Sequence, residues 1–238
     1  MKIIITMAGE GSRFKKIGIK KQKYELIANG RSLYEWSMLS LVEFFNEQFI
    51  FITRIDHNAR EFIGAANKTL GISNYSIVEI ETLTDGQAST VLKAQSSIDM
   101  KEEILIYNID TYVEPHQVQR NSIQGSGWIP AFYAEGDKWS FVNFDENYKV
   151  FQIAEKRRIS DYGTIGLYYF KSFELYKEAY YNEDHSNISE KYIAPIYSYL
   201  IGKGENVYTS IIEQEKVHVL GTPEDLEAFD PDYLYKNL

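Results

Sequence analysis

The chain has 238 residues, 44% of them hydrophobic and 15% aromatic, enough apolar surface to bury a sizeable core in one large domain or two small ones. It contains no cysteine, which excludes disulfides and thiolate metal sites and is compatible with a reducing compartment. The formal net charge of −9 repels a polyanion over most of the surface and argues against binding to DNA or RNA backbones.

In chain order, residues 1–6 are rich in β-branched side chains and read as a buried strand. The apolar run from Ile3 to Met7 is cut off by Gly9, Glu10 and Gly11. It is too short for a signal-peptide core or a bilayer span, so a soluble, cytoplasmic protein without membrane partners is expected. Residues 9–30 read as a long polar loop punctuated by glycine, and loops of that length are usually functional or disordered. Leu33, Trp36, Leu39, Leu41, Phe44 and Phe45 recur at helical spacing and predict a helix over 32–45. A strand at 49–53, a helix at 58–70, a strand at 75–80, a helix at 87–97 and a strand at 103–107 continue the alternation. This order predicts an α/β fold with a Rossmann-like, mostly parallel sheet flanked by helices, in which ligands bind beyond the carboxyl ends of the strands. The glycine loop after the first strand and Asp110 after the fourth both fall at that edge.

Beyond Gly125 the pattern changes to short strands at 128–133, 140–144, 150–154 and 164–170, predicted as a small antiparallel extension closing one side of a cleft. Helices at 172–181 and 189–201, strands at 206–211 and 216–220, and a closing helix at 223–229 complete the reading. With no repeat, low-complexity linker or sustained heptad, residues 1–238 are expected to form one domain with halves of about 1–124 and 125–238.

The segment Met7, Ala8, Gly9, Glu10, Gly11, Ser12, Arg13, Phe14 follows directly on the first strand. Glycines there let backbone N–H groups approach a phosphate chain, and Arg13 adds a planar fork for its oxygens. A tight turn is the other reading of so short a Gly-x-Gly. The segment is not a dinucleotide fingerprint, because Phe14 stands where a third glycine belongs, nor a P-loop, because Gly-Lys-Ser/Thr is missing. Arg13, Lys15, Lys16, Lys20, Lys21 and Lys23 cluster in an otherwise acidic chain; they are either a solvated basic loop or a seat for a small, highly charged phosphate ligand.

The run from Met7 to Phe14, with Lys23 and then Asn29, Gly30, Arg31, Ser32 and Leu33, resembles the signature of the sugar-1-phosphate nucleotidyltransferases. The resemblance implies a GT-A-like nucleotidyltransferase fold. It also implies that Ala8, Gly9, Gly11, Ser12 and Arg13 grip a nucleoside triphosphate, with Lys23 as a second cation; Gln22 stands where the family has proline. Thr84 to Leu92 resembles the family's base-contacting turn and helix start, with Gly86 and Gln87 at the contact positions, Gln offering a donor and an acceptor together. The stretch from Ile104 to Asp110 is similar to the strand ending in the magnesium-binding aspartate, which implies Mg²⁺ on Asp110 and nucleotide contact by Asn108. As bare patterns, Gln87 reads equally as an exposed residue at a helix start and Asp110 as a turn former.

Ala154, Glu155 and Lys156 resemble the pair that holds the acceptor, Lys for its phosphate and Glu for a sugar hydroxyl, with Gly166 on the next acceptor-side strand. By itself a Glu-Lys dipeptide is surface decoration. The run from Leu220 to Leu226 resembles the family's closing Gly-Thr-Pro-Glu-Asp element, with Pro223 at a favoured first helical position. Many members carry an aspartate two residues before that glycine as a second metal ligand, and here Val219 stands there; His218, Asp225 or water is left to complete the shell. His57, His116, His185 and His218 are otherwise isolated and read as packed or surface residues.

The implied reaction transfers a nucleoside monophosphate from a triphosphate to a sugar 1-phosphate or similar phosphorylated acceptor, releasing pyrophosphate, with surface-polysaccharide precursor synthesis as the expected setting. Arg13, Lys23 and Asp110 would carry the catalysis. The alternatives are a cytidylyltransferase for a phosphorylated alcohol or amino acid, a sugar-nucleotide-dependent glycosyltransferase, and a nucleotide-binding regulatory module without activity. The absence of Asp-x-Asp at Asp110-Thr111-Tyr112 counts against the glycosyltransferase.

Overall fold

The computed structural model describes residues 1–183 and 190–238; His185 and the predicted helix start at Ser189 lie outside them. The central strand Lys2–Thr6 is parallel to Gln48–Arg54 on one side and to Ile104–Asn108 on the other. Ile4 packs into one core with Ala88 and Val91 of the helix Gln87–Leu92 and Tyr176 of the helix Phe173–Asn182. Ile3 and Ile5 pack into the other, with Tyr34 and Met38 of the helix Leu33–Leu39 and Ile63 of the helix Arg60–Leu70. The side-chain period of 2 along the strand thus feeds two apolar layers, and a strand buried on both faces needs a nearly continuous β-branched run.

Among the described residues the large sheet has seven strands, in the order Val207–Tyr208, Gly127–Trp128, Leu167–Phe170, Ile104–Asn108, Lys2–Thr6, Gln48–Arg54, Tyr75–Ile80. Only Leu167–Phe170 runs antiparallel to its neighbours. The protein is therefore mixed α/β with a large, mostly parallel sheet flanked by helices. A second, five-stranded sheet, Val150–Glu155, Ser140–Phe144, Tyr162–Thr164, Ala131–Tyr133 and Ile211–Ile212, is antiparallel except at its last pair.

Three of the predicted strands are each divided between the two sheets. The stretch 128–133 breaks at Pro130, which has no N–H to give a ladder, leaving Gly127–Trp128 in the large sheet and Ala131–Tyr133 in the second. The stretch 164–170 breaks at Gly166, whose φ of 79° is left-handed. The stretch 206–211 becomes Val207–Tyr208 and Ile211–Ile212. Both predicted halves thus contribute strands to the large sheet.

The polar segment 9–30 is more ordered than a loop. It holds a helical turn Ser12–Lys16, a 3₁₀ turn Lys23–Glu25 and a hairpin of Ile27–Ala28 with Arg31–Ser32. The hairpin turns on Asn29 and Gly30, both at positive φ, as a two-residue Asn-Gly loop requires. The predicted helix 32–45 stops at Leu39; Ser32 and Glu35 form a capping box at its start. The helix Tyr233–Asn237 and the strand Thr111–Val113, which pairs with Val217–Val219, also escaped prediction. Among the described residues no helix is long and apolar enough to cross a membrane.

Candidate active site

Because Thr6 and Asn108 end adjacent parallel strands in register, the loops that follow them emerge side by side. A cleft of about 720 Å³ opens there, and Ala8, Gly9, Gly11, Ser12, Arg13, Lys23, Gly86, Gln87, Asn108 and Asp110 all line it. Glu155, Lys156 and Gly166 are not in that lining.

Gly11 adopts φ 61° and caps the turn Ser12–Lys16, a conformation that Cβ-bearing residues rarely hold. Met7 N donates to Ile52 O and Phe14 N to Gly11 O, whereas no backbone N–H between Ala8 and Arg13 finds an acceptor among the described residues. Unpaired, closely spaced N–H groups beside an exposed Arg13 form a surface that attracts phosphate oxygens. Phe14 is buried beneath the turn and fixes it to the apolar cluster that also holds Leu220 and Leu226.

Lys23 Nζ lies 3.3 Å from Asp110 Oδ2 and 5.9 Å from the centre of the Phe14 ring. Across the cleft, Gln87 Nε2 donates to Thr6 Oγ1 at 3.0 Å and to Asn108 Oδ1. Both amide protons of Gln87 are thereby engaged inside the protein, and its carbonyl oxygen is the group left to accept a further hydrogen bond. Asn108 is itself pressed by Gly166, where a Cβ would sit 2.4 Å from Asn108 Nδ2. Gly166 thus touches the cleft lining through Asn108.

The pairing of Thr111–Val113 with Val217–Val219 brings Leu220 N within 2.8 Å of Asp110 O, which seats Gly221 on the cleft wall. A Cβ on Gly221 would lie 3.5 Å from Asp225 Oδ2, 3.9 Å from Asp110 Oδ2 and 3.9 Å from Val219 Cγ1, so two carboxylates and Val219 face one small space. Asp225 Oδ1 pairs with Lys138 Nζ at 3.0 Å, while its Oδ2 is buried without a hydrogen-bond partner, a state that a cation would relieve. His218 is elsewhere, stacked on Tyr112 with ring centres 5.3 Å apart and near Glu114. Among the described residues no three His, Asp or Glu side chains form a metal cage. Two carboxylates with room for phosphate oxygens and water do suit the partial oxygen shell that Mg²⁺ takes beside a nucleotide.

On the second sheet, Glu155 donates nothing and accepts from Ser140 Oγ; burial raises its carboxyl above the usual range, against the opposing pull of Ser140 and Lys156. Lys156 Nζ donates to the Tyr192 hydroxyl, and Tyr192 lines the cleft, so the pair reaches the cleft edge through this tyrosine. Tyr192, Glu190, Tyr24, Asp85 and Gly221 also line the cleft without having been selected from sequence. For Gly221 the resembling run from Leu220 to Leu226 carried the signal; for Tyr192 no local pattern did.

The profile of the nucleotidyl transferase family matches residues 2–234. A nucleoside-diphosphate-sugar pyrophosphorylase from Vibrio cholerae is 36% identical with a TM-score of 0.88, over 96% of this chain and 99% of that one. The inositol-1-phosphate CTP transferase from T. maritima (16% identity, TM-score 0.77, 94% and 90% covered) and a UDP-glucose pyrophosphorylase complexed with UDP-glucose (15%, 0.78, 99% and 98%) share the fold. No curated protein matches the sequence. With a family profile spanning nearly the whole chain and a pyrophosphorylase relative aligned end to end, the chain belongs to the nucleotidyl transferase family and is a nucleotidyltransferase enzyme.

Proposed function

We propose that the protein transfers a nucleoside monophosphate from a nucleoside triphosphate to a sugar 1-phosphate or similar phosphorylated acceptor, releasing pyrophosphate, in the cytoplasm and for surface-polysaccharide precursors. The observation that carries the reading is the convergence of the Gly9–Gly11 turn, Arg13, Lys23, Gln87 and Asp110 on one cleft.

The chemistry asks little of acid–base groups. A phosphomonoester with a second pKa of about 6 is largely dianionic at neutral pH, so its oxygen can attack the α-phosphorus in line without a general base. The catalytic task is to hold two anions together and to stabilise charge on departing pyrophosphate. In this reading the N–H groups of the glycine turn and Arg13 hold the triphosphate, the Gln87 carbonyl accepts from the base, and Lys156 meets the acceptor phosphate beside Glu155. Asp110, with Asp225 behind Gly221, would hold Mg²⁺, which when bound neutralises phosphate charge. Lys23, which pairs with Asp110 here, would then be available to the triphosphate.

The test is incubation of the purified protein with each of the four common triphosphates, Mg²⁺ and a panel of phosphorylated sugars, alcohols and amino acids, following pyrophosphate. Release that depends on both a triphosphate and an acceptor supports the reading, and the active acceptor names its class. Nucleotide binding with no release on any acceptor would defeat it.

A further inference from the structure

Residues 190–192 belong to no helix or strand, yet their backbone is tied to the nucleotide side of the cleft. Lys191 N donates to Asp85 O at 2.8 Å and Ala88 N donates to Lys191 O at 2.9 Å, while Lys191 Nζ pairs with Asp85 Oδ2 at 2.8 Å. The approach is so close that a Cβ on Gly86 would sit 2.4 Å from both the N and the O of Lys191, a contact only glycine permits. This clasp carries the next residue, Tyr192, onto the cleft wall.

There the phenol meets a lysine from the second sheet. Lys156 Nζ donates to Tyr192 Oη and stands 4.3 Å from the centre of its ring, within cation–π range. Tyr192 Oη donates in turn to Glu190 Oε2. Lys156 itself holds φ 49°, uncommon for a residue with a Cβ, with its N donating to Trp139 O at 2.9 Å. An exposed lysine has many rotamers to lose on binding an anion; a ring face and a phenol oxygen remove that freedom in advance.

Resting on the reading that Lys156 receives the acceptor phosphate, we infer that Tyr192 is a positioning residue. It holds the Lys156 ammonium at the cleft edge, accepts a hydrogen bond from one of its three N–H groups and leaves the other two for the acceptor. Through the Lys191 clasp it also sets that ammonium relative to the base-binding turn. The two substrates are thereby located by one short piece of backbone, although their binding residues lie about 70 positions apart in the chain by the general spacing of Gly86 and Lys156.

The variants are Tyr192→Ala and Tyr192→Phe, the latter keeping the ring and losing the oxygen. Tyr192→Ala is expected to raise the acceptor KM by about tenfold or more while triphosphate affinity, measured without acceptor, stays within about twofold; Tyr192→Phe falls between. An unchanged acceptor KM, or equal weakening of both substrates with a lowered Tm, overturns the assignment. A second measurement needs no turnover: limiting acetylation of the folded protein, read by peptide mass spectrometry. Lys156 is expected to react about threefold faster in Tyr192→Ala than in wild type, relative to Lys171 and Lys177. Equal reactivity overturns the positioning role whatever the reaction; faster reactivity in a protein that releases no pyrophosphate would keep the positioning role and remove the transferase reading.

Discussion

Lys23 Nζ lies 3.3 Å from Asp110 Oδ2, although 86 residues separate them in the chain. The cation proposed for the triphosphate and the carboxylate proposed for the metal thus neutralise each other when neither ligand is present. The Lys23 side chain is 16% and the Asp110 side chain 41% exposed, so the pair is partly screened and adds little to stability.

Lys23→Ala and Asp110→Ala should each lower turnover by two orders of magnitude or more, in line with the ~2–4 kcal/mol lost when one preorganised charge-stabilising group is removed. Thermal melts should change little. Pyrophosphate release within about threefold of wild type would take that residue out of the mechanism.

Gly86→Ala places a methyl group 2.4 Å from the Lys191 backbone, and neither side of that contact is a flexible side chain. Overpacking of this kind costs about 1–3 kcal/mol. The variant should melt at lower temperature and expose the amides of Ala88 and Lys191, now bonded across the clasp, to faster hydrogen exchange. Unaltered protection of both amides would show that the clasp does not depend on glycine.

Asp225 Oδ2 is buried and unpartnered beside Asp110, with Val219 facing the same space. Asp225→Asn should raise the Mg²⁺ concentration for half-maximal activity several-fold, and Val219→Asp should lower it, because each changes the number of anionic oxygens near the metal. Titration of Mn²⁺ binding by its paramagnetic signal gives the same order without turnover. Identical affinities in wild type and Asp225→Asn would leave Asp110 with water and phosphate as the whole shell.

His57 is buried, and among the described residues its ring has the Met7 backbone as its one polar neighbour opposing burial besides Asp56. Burial depresses its pKa, with Arg54 and Lys15 acting in the same sense and Asp56 against them. A histidine depressed in the fold takes its proton first in the unfolded chain, so its contribution to stability is whole above the unfolded value of about 6.5 and is lost as pH falls below it. His57→Phe should therefore flatten the decline of Tm between about pH 7 and pH 5. Parallel curves for the two proteins would place the acid sensitivity elsewhere.

How far the site could be read in advance depended on distance along the chain. Gly9, Gly11 and Arg13 follow closely on their strand, while Asn108 ends its own and Asp110 lies just beyond it, so strand propensity and the rule that ligands meet the carboxyl edge of a parallel sheet placed them together. Tyr192 could not be found this way, because it reaches the cleft by backbone bonds of Lys191 to Asp85 and Ala88, which leave no period or composition behind. In the sequence Asp225 stands beside His218 and water as a candidate to complete the metal shell; it sits in the first turn of the helix that Thr222 caps by accepting from Asp225 N, and its closeness to Asp110 comes from the pairing of Val217–Val219 with Thr111–Val113.

The split strands show the same division. Apolar runs at 128–133 and 164–170 announce β structure and each reads as one strand, but nothing in those runs says that the pieces on either side of Pro130 and Gly166 join different sheets. Residue type and short-range spacing determined the alternation of elements, the glycine turn and the charges available to a phosphate ligand, since these depend on backbone sterics and burial within a few residues. The tertiary structure alone decided which distant groups face each other, Lys23 with Asp110, Lys156 with Tyr192, Asp225 with Gly221. Such pairings arise when whole layers pack, a free-energy balance spread over the entire core and not written in any one segment.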